Sequence, residues 1–425
     1  MTAPTDGATG PAGSSGPRSF ILTAARVATP TEMLEEAYVV VSGSRVSEVG
    51  RGRPSGDATE GLQIIDLGDA LVAPGFIDVH VHGGGGFEVN CASTEEVERS
   101  VKGMARFHAS HGTTAMVATT VSDSPEALRT AVEGVAAVTR LPGVGVLGSN
   151  LEGPWISRSR AGAQFLGALR PPSLGEFEQL LELSRGTLRV VTVAPELEGA
   201  MQLISAARSA GVVVAIGHTD ADYETAKAAF EAGARQATHL FNAMAPIHQR
   251  HPGPVTAALA DPRVFLEVIA DGVHVHPALI SLVATLAPDR LLLMTDAIGA
   301  TGTAPGRHRL GPQEVVVSNG RAVLAGDEAT VAGSVLTMDR AVALAVETAG
   351  VPLLGALRAA SLQPARALGE VRKGYLGPGA DADLVVLSPE LSVVATVIGG
   401  QVAHDVAGRL SDPASLPWSP SRPRL

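Results

Sequence analysis

The sequence predicts an α/β fold: a TIM-like (β/α)8 barrel with a small β-sandwich assembled from both ends of the chain. Three observations carry that expectation. Between residues 74 and 375, eight apolar strand-like segments alternate with amphipathic helical stretches, and eight is the number at which a parallel sheet closes on itself. Short strands joined by tight turns precede and follow that stretch. With 425 residues, 45% of them hydrophobic and 18% charged, the chain has enough apolar side chains to fill a core of that size.

Residues 1–19 are rich in Pro, Gly, Ser and Thr and lack the basic start and apolar block of a signal peptide, so a disordered tail is expected there. Phe20–Thr23 and Ala37–Val41 read as strands, and Ser42-Gly43-Ser44 turns the chain back into Arg45–Val49. The expected sandwich takes residues 20–73 and 376–408, where Asp383–Leu387 and Val393–Val397 precede a Gly399-Gly400 turn. Barrel strands are expected at Gly75–His82, Thr113–Thr120, Gly145–Glu152, Leu188–Glu196, Val212–His218, Gln236–Leu240, Phe265–Ala270 and Arg290–Asp296. Helical periodicity falls on Thr94–Ala109, Pro125–Val138, Met201–Ala210, Tyr223–Ala232 and Pro277–Leu286. A hairpin of Glu314–Val317 and Arg321–Leu324 should separate the eighth strand from a last helix, Ser334–Ala349, and residues 409–425 should form a loose C-terminal tail.

Composition narrows the function classes. Asp, His, Arg or Gly interrupts each apolar run before the ~18–20 residues a bilayer span requires, so no membrane partner is expected. A net charge of −11 repels phosphodiester backbones and argues against nucleic acid. The single cysteine, Cys91, has no partner for an intramolecular disulfide, in keeping with a cytoplasmic location.

The chemistry lies at the carboxyl ends of the expected strands, where barrel active sites are built. In Phe76-Ile77-Asp78-Val79-His80-Val81-His82 the strand period puts His80 and His82 on one face. Glu152, His218, His239 and Asp296 each fall where a strand should finish. One such histidine alone is usually a packed or surface residue; the coincidence of several at strand ends points to a centre. Mixed histidine and carboxylate ligation is the composition of a catalytic Zn²⁺ or Fe²⁺ site, whose natural output is hydrolysis.

The motifs Pro74-Gly75-Phe76-Ile77-Asp78-Val79-His80-Val81-His82, Leu151-Glu152-Gly153-Pro154-Trp155, Gly217-His218-Thr219, His239-Leu240-Phe241-Asn242-Ala243-Met244, Ala270-Asp271-Gly272-Val273-His274 and Thr295-Asp296-Ala297 occur in this order. Together they closely resemble the N-acetylglucosamine-6-phosphate deacetylase family of the amidohydrolase superfamily, from about Phe20 to Gly400. The resemblance implies one or two divalent ions, zinc foremost and iron next, on His80, His82, Glu152, His218 and His239. Lysine scarcity agrees, since Lys102 and Lys227 fall in expected helices and Lys373 follows the barrel, leaving no lysine placed to bridge two metals. Asp296 is implied as the residue that takes a proton from water and returns it to the leaving amine. Asn242, Ala243, Arg250 and His274 are implied as phosphate contacts, with the arginine serving a homodimer interface. Gln164 stands where many family members carry histidine and is expected to contact the substrate without titrating. Ala332–Leu336 is implied as the lining of the acetyl pocket.

The implied activity is hydrolysis of N-acetylglucosamine 6-phosphate to glucosamine 6-phosphate and acetate in amino-sugar catabolism. N-acetylgalactosamine 6-phosphate is the alternative substrate, and a non-catalytic scaffold is disfavoured because the ligand positions are kept. Gly83–Gly86 is expected as a mobile loop, His108, His111 and His404 as structural or solvated residues, and His248, His251 and His276 as neighbours of the site. Cys91 is not expected to act as a nucleophile.

Overall fold

A computed structural model describes residues 18–54, 61–139 and 141–410. The expected tails lie outside those residues except at their inner edges. At those edges the chain is tied down: the Arg18 N–H donates to Gly400 O (3.2 Å), Ser19 Oγ accepts from Gly43 N (3.0 Å), and Leu410 N donates to Asp405 Oδ2 (2.8 Å).

Eight parallel strands form the barrel sheet: β1 (Phe76–Val81), β2 (Thr113–Thr120), β3 (Val146–Glu152), β4 (Leu188–Val193), β5 (Val213–Ile216), β6 (Gln236–Ala237), β7 (Phe265–Ile269) and β8 (Leu291–Met294). Each pairs with its sequence neighbour. β1 meets the far end through residues just beyond β8, where Val81 bridges Ala297 and Asp296 N donates to His80 O (3.0 Å). The crossover helices carry their own start signals. Ser93 caps Thr94–Ala109 by accepting from Glu96 N, and Val97, Val101, Met104, Ala105 and His108 make its buried face at helical spacing. Asp222 caps Tyr223–Ala232 in the same way.

Strands β5, β6 and β8 stop short of the expected ends at His218, Leu240 and Asp296. The reason is local: His218, His239 and Asp296 have φ of 47°, 30° and 52°, so the backbone leaves the strand at or just before each of these residues. The helix expected at Ser334–Ala349 is not the last and is shorter, Met338–Glu347, because Ser334 is committed to the barrel mouth, its N–H donating to Asp296 O (2.7 Å) and its Oγ to Thr295 O (2.5 Å). Two short helices, Leu353–Ala359 and Leu362–Ala367, follow. The expected hairpin is the centre of a four-stranded antiparallel sheet, Gly306–Leu310, Gln313–Ser318, Arg321–Leu324 and Asp327–Val331, whose outer strands are too polar to signal themselves.

Strands from both chain ends share one continuous eight-stranded sheet, in which Leu71–Pro74 pairs antiparallel with Leu384–Leu387 and parallel with Phe20–Ala28. The two faces of Leu384–Leu387 explain how this layer joins the barrel. Leu384 and Val386 pack with Leu22, Val39 and Val41 in the sheet's own core, whereas Val385 and Leu387 pack into the barrel core. Gly83–Gly84 pairs with Phe87–Glu88 and is bonded through Gly83 N to Ala297 O and Gly85 N to Thr301 O, so the expected mobile loop is a pinned hairpin.

Candidate metal centre

Two buried groups of potential ligands meet at the carboxyl end of the barrel: His80, His82 and Asp296, and Glu152, His218 and His239. Within each, one ligand atom per residue lies within 4.8 Å of the others. Glu152 joins the groups. Its Oε1 is 2.8 Å from His239 Nε2 and 3.1 Å from His218 Nε2, while its Oε2 is 3.2 Å from His82 Nε2. Asp296 Oδ1 is 3.0 Å from His82 Nε2 and 3.5 Å from His80 Nε2.

The outer ring nitrogens show which tautomers face inward. His82 Nδ1 lies 3.1 Å from Thr119 O and His218 Nδ1 2.8 Å from Arg160 O, and a carbonyl can only accept. His80 Nδ1 lies 3.2 Å from Glu267 Oε2. In neutral rings the protons therefore sit on Nδ1 and the Nε2 lone pairs point at one another, at 3.3 Å between His80 and His82; His239 and His218 approach through Nε2 at 3.0 Å. Lone pairs at that distance, beside two carboxylates, require positive charge between them. Protons on the rings can supply it, and so can divalent cations.

The pKa shifts follow from the same charge balance. Burial lowers that of the His82 imidazole, but Asp296 and Glu152 outweigh it and raise the ring to about 9. His80 is raised well above its ordinary value, Glu152 and Glu267 overcoming the burial that lowers it. Burial raises Glu152 and Asp296, yet the surrounding imidazoles bring both below their ordinary values, so both are carboxylates at neutrality.

Three of these potential ligands, His218, His239 and Asp296, sit in left-handed backbone, a strain tolerated where surrounding structure over-determines it. The Leu-Glu-Gly-Pro motif has its own steric reason. Gly153 has φ 82°, and a Cβ there would lie 2.1 Å from Ser122 Oγ.

Gln164, Asn242, Ala243 and His274 line a cavity of about 280 Å³ together with His82, Glu152, His218, His239 and Asp296. Val331 and Gly333, at the edge of the Ala332–Leu336 segment, line it too. Gln164 is held by both ends of its amide: Oε1 accepts from Ser122 N (2.6 Å) and Nε2 donates to Glu152 Oε2 (2.7 Å). His274 Nδ1 is 2.7 Å from Asp271 Oδ2, leaving Nε2 for a ligand. Arg250 is not among the lining residues; it is exposed, on the turn where its N–H meets His248 Nδ1 (3.3 Å). His248 stacks on His251, and His276 caps the helix Pro277–Leu286. His111 pairs with Asp339 (3.3 Å), and burial pushes the Cys91 thiol up, away from nucleophilic use.

Motif reading missed Glu267, Asp78, and the carbonyls of Thr119 and Arg160. Glu267 did leave a signal, being a lone carboxylate in the apolar strand Phe265-Leu266-Glu267-Val268-Ile269. Asp78, buried and pushed up to about 6 by that burial, accepts from Thr295 Oγ1 (2.5 Å) and so links β1 to the end of β8. The carbonyls carry no signal in a sequence.

His108 anchors the loop after His80 and His82, through Nε2 to Gly83 O (2.9 Å), with Nδ1 buried and unpartnered. Burial lowers its pKa to about 4. A depressed folded-state pKa adds stability that is complete above the unfolded value of 6.5 and is lost as pH falls toward 4. His108→Gln should therefore be less stable than the parent at pH 7.5, and the gap should shrink by about 2 kcal/mol at pH 5. Urea unfolding at the two pH values measures it; a pH-independent gap would mean the ring is not held neutral.

Residues 71–403 match the model of the amidohydrolase family. An N-acetylglucosamine-6-phosphate deacetylase of Bos taurus is 41% identical over 350 residues, 80% of this chain and 85% of that one. An N-acetylgalactosamine-6-phosphate deacetylase of Escherichia coli O157:H7 is 40% identical over 336 residues, covering 78% and 88%. Among solved structures, a variant of the Mycobacterium smegmatis N-acetyl-D-glucosamine-6-phosphate deacetylase in complex with N-acetyl-D-glucosamine-6-phosphate superposes with a TM-score of 0.85 at 42% identity, over 91% of this chain and 99% of that one.

Proposed function

The chain belongs to the amidohydrolase family and is a hydrolytic enzyme, and from that premise we propose that it removes the acetyl group of N-acetylglucosamine 6-phosphate, yielding glucosamine 6-phosphate and acetate. The observation that carries this reading is the meeting of four imidazole Nε2 atoms with Glu152 and Asp296, all of these residues except His80 forming the wall of one cavity. The donor set fits divalent cations, with zinc the ion proposed and iron the alternative: His80, His82 and Asp296 would hold one, His218 and His239 another, with Glu152 between them. When bound, such an ion would make a water acidic enough to yield hydroxide near neutrality and would polarise the acetyl carbonyl.

The chain's own groups do the rest. Asp296, ionised at neutrality, accepts a proton as the water oxygen adds to the carbonyl carbon. It then delivers that proton to the nitrogen as the C–N bond breaks, because an amine leaves only when protonated. Gln164, its carbonyl spent on Ser122 N and one amide hydrogen on Glu152, has a second hydrogen to offer the substrate. His274 offers Nε2 to the phosphate, beside Asn242 and Ala243.

Arg250 is proposed to serve the phosphate of a second copy in a homodimer. The helix Pro277–Leu286 supports an interface, since it buries Ile280 and Val283 but leaves Leu279, Leu282 and Leu286 exposed at 38%, 45% and 58%. Among the described residues no helix is long and apolar enough to cross a membrane. A cytoplasmic location is proposed on the single cysteine.

Acetate release, measured beside elemental analysis of the purified protein, tests the assignment. The 6-phosphates of N-acetylglucosamine and N-acetylgalactosamine are compared, the second reading being favoured by the Escherichia coli relative. Activity on neither sugar phosphate would overturn it. In the same assay Arg250→Ala should lower kcat/KM for the phosphorylated sugar about tenfold to a hundredfold, the worth of a charge-assisted hydrogen bond, and hardly change it for unphosphorylated N-acetylglucosamine. An equal loss on both would make Arg250 structural.

A further inference from the structure

Glu267 is fully buried in β7, between Leu266 and Val268 of the barrel core. A carboxylate so placed is costly unless donors surround it. Three do. The Nδ1–H of His80 reaches Oε2 at 3.2 Å, the Gln236 side-chain amide donates to Oε1, and the backbone N–H of His239 reaches Oε2 at 3.4 Å. One carboxylate thus holds the ring of a ligand in one group and the backbone of a ligand in the other.

The four imidazoles are not held alike. His82 and His218 give Nδ1 to backbone carbonyls, and His239 Nδ1 is buried without a partner. Of these four imidazoles only His80 has a carboxylate behind it. A carboxylate on the outer nitrogen fixes the tautomer and orientation of a ligating histidine and makes the inner nitrogen a stronger donor.

We propose that Glu267 is a positioning residue that makes His80 a strong ligand, so that the His80–His82–Asp296 group holds its own ion and the enzyme works with two. This rests on the reading that both groups bind divalent cations. Glu152, His218 and His239 form a sufficient single-ion site, so the role of Glu267 is to decide the occupancy of the second.

The test is zinc binding to the full-length protein after chelator treatment, followed by calorimetric titration and elemental analysis. Wild type, Glu267→Gln, which keeps shape, and Glu267→Leu, which keeps no acceptor, are compared. Thermal denaturation identifies the folded variants. Two ions are expected for wild type, with Glu267→Gln weakening one of them about tenfold to a hundredfold and leaving the other unchanged. Glu267→Leu should weaken the same ion further; if it does not fold, the Gln variant decides. The d–d spectrum of the cobalt-loaded protein should lose one of two contributions. A single ion in wild type would overturn the two-ion reading and this role with it. Two ions bound equally well by wild type and variants, or weakened equally at both positions, would overturn the role of Glu267 alone.

Discussion

Asp296→Asn should lower kcat about 10²–10⁴-fold and change KM little, because the amide copies the shape of the carboxylate but cannot carry a proton. The position is well suited to an isosteric change. Its backbone is held at φ 52° from two sides, by Asp296 N donating to His80 O (3.0 Å) and by Ser334 N donating to Asp296 O (2.7 Å). Asparagine favours left-handed backbone at least as well as aspartate, so the fold should be retained. Asn Oδ1 can still face His82 Nε2, where Asp296 Oδ1 now lies at 3.0 Å, so metal content should fall less than activity. Single-turnover acetate release, with elemental analysis of the same sample, separates the two. A loss confined to KM would move Asp296 from proton transfer to substrate binding.

His239→Ala should have an effect as large by a different route, about 10³-fold or more in turnover together with loss of bound metal. Its Nε2 stands 2.8 Å from Glu152 Oε1 and 3.0 Å from His218 Nε2, so removing the ring strips one corner from the group these three residues form. The remaining carboxylate and imidazole would be too few to hold that group's ion, and the acidity such an ion would lend to water there would be lost. His218→Ala should behave alike, since His218 Nε2 faces the same Glu152 oxygen at 3.1 Å. Added imidazole should restore part of the activity by filling the space left. Full metal content and normal turnover in either variant would remove both residues from the ligand set.

These expected effects fall on residues that were visible from local pattern. The two-residue period of β1 was enough to put His80 and His82 on one face, and helix caps such as Ser93 and Asp222 mark starts that the structure keeps. Strand lengths were less legible. The apolar signal runs on through Leu240, whereas β6 ends at Ala237 because His239 turns left-handed. No residue preference announces that turn.

What the sequence determined by itself was the eight barrel strands, five of the helices between them and the residue types at the strand ends, since these follow from interactions among near neighbours and from periodicity. Tertiary structure decided how those residues are used. Glu267 and His80 are 187 residues apart and meet because their strands belong to one nearly closed barrel. Glu152 stands between two histidine groups because β1, β3 and the ends of β5 and β6 converge on it. Gln164, read as a substrate contact, is held to Glu152 and Ser122, whereas Arg250 lies apart from the cavity lining. Which nitrogen of each imidazole faces inward depends on the carbonyls of Thr119 and Arg160 and the carboxylate of Glu267. Those partners lie 37 to 187 residues away along the chain, at distances over which no local pattern operates.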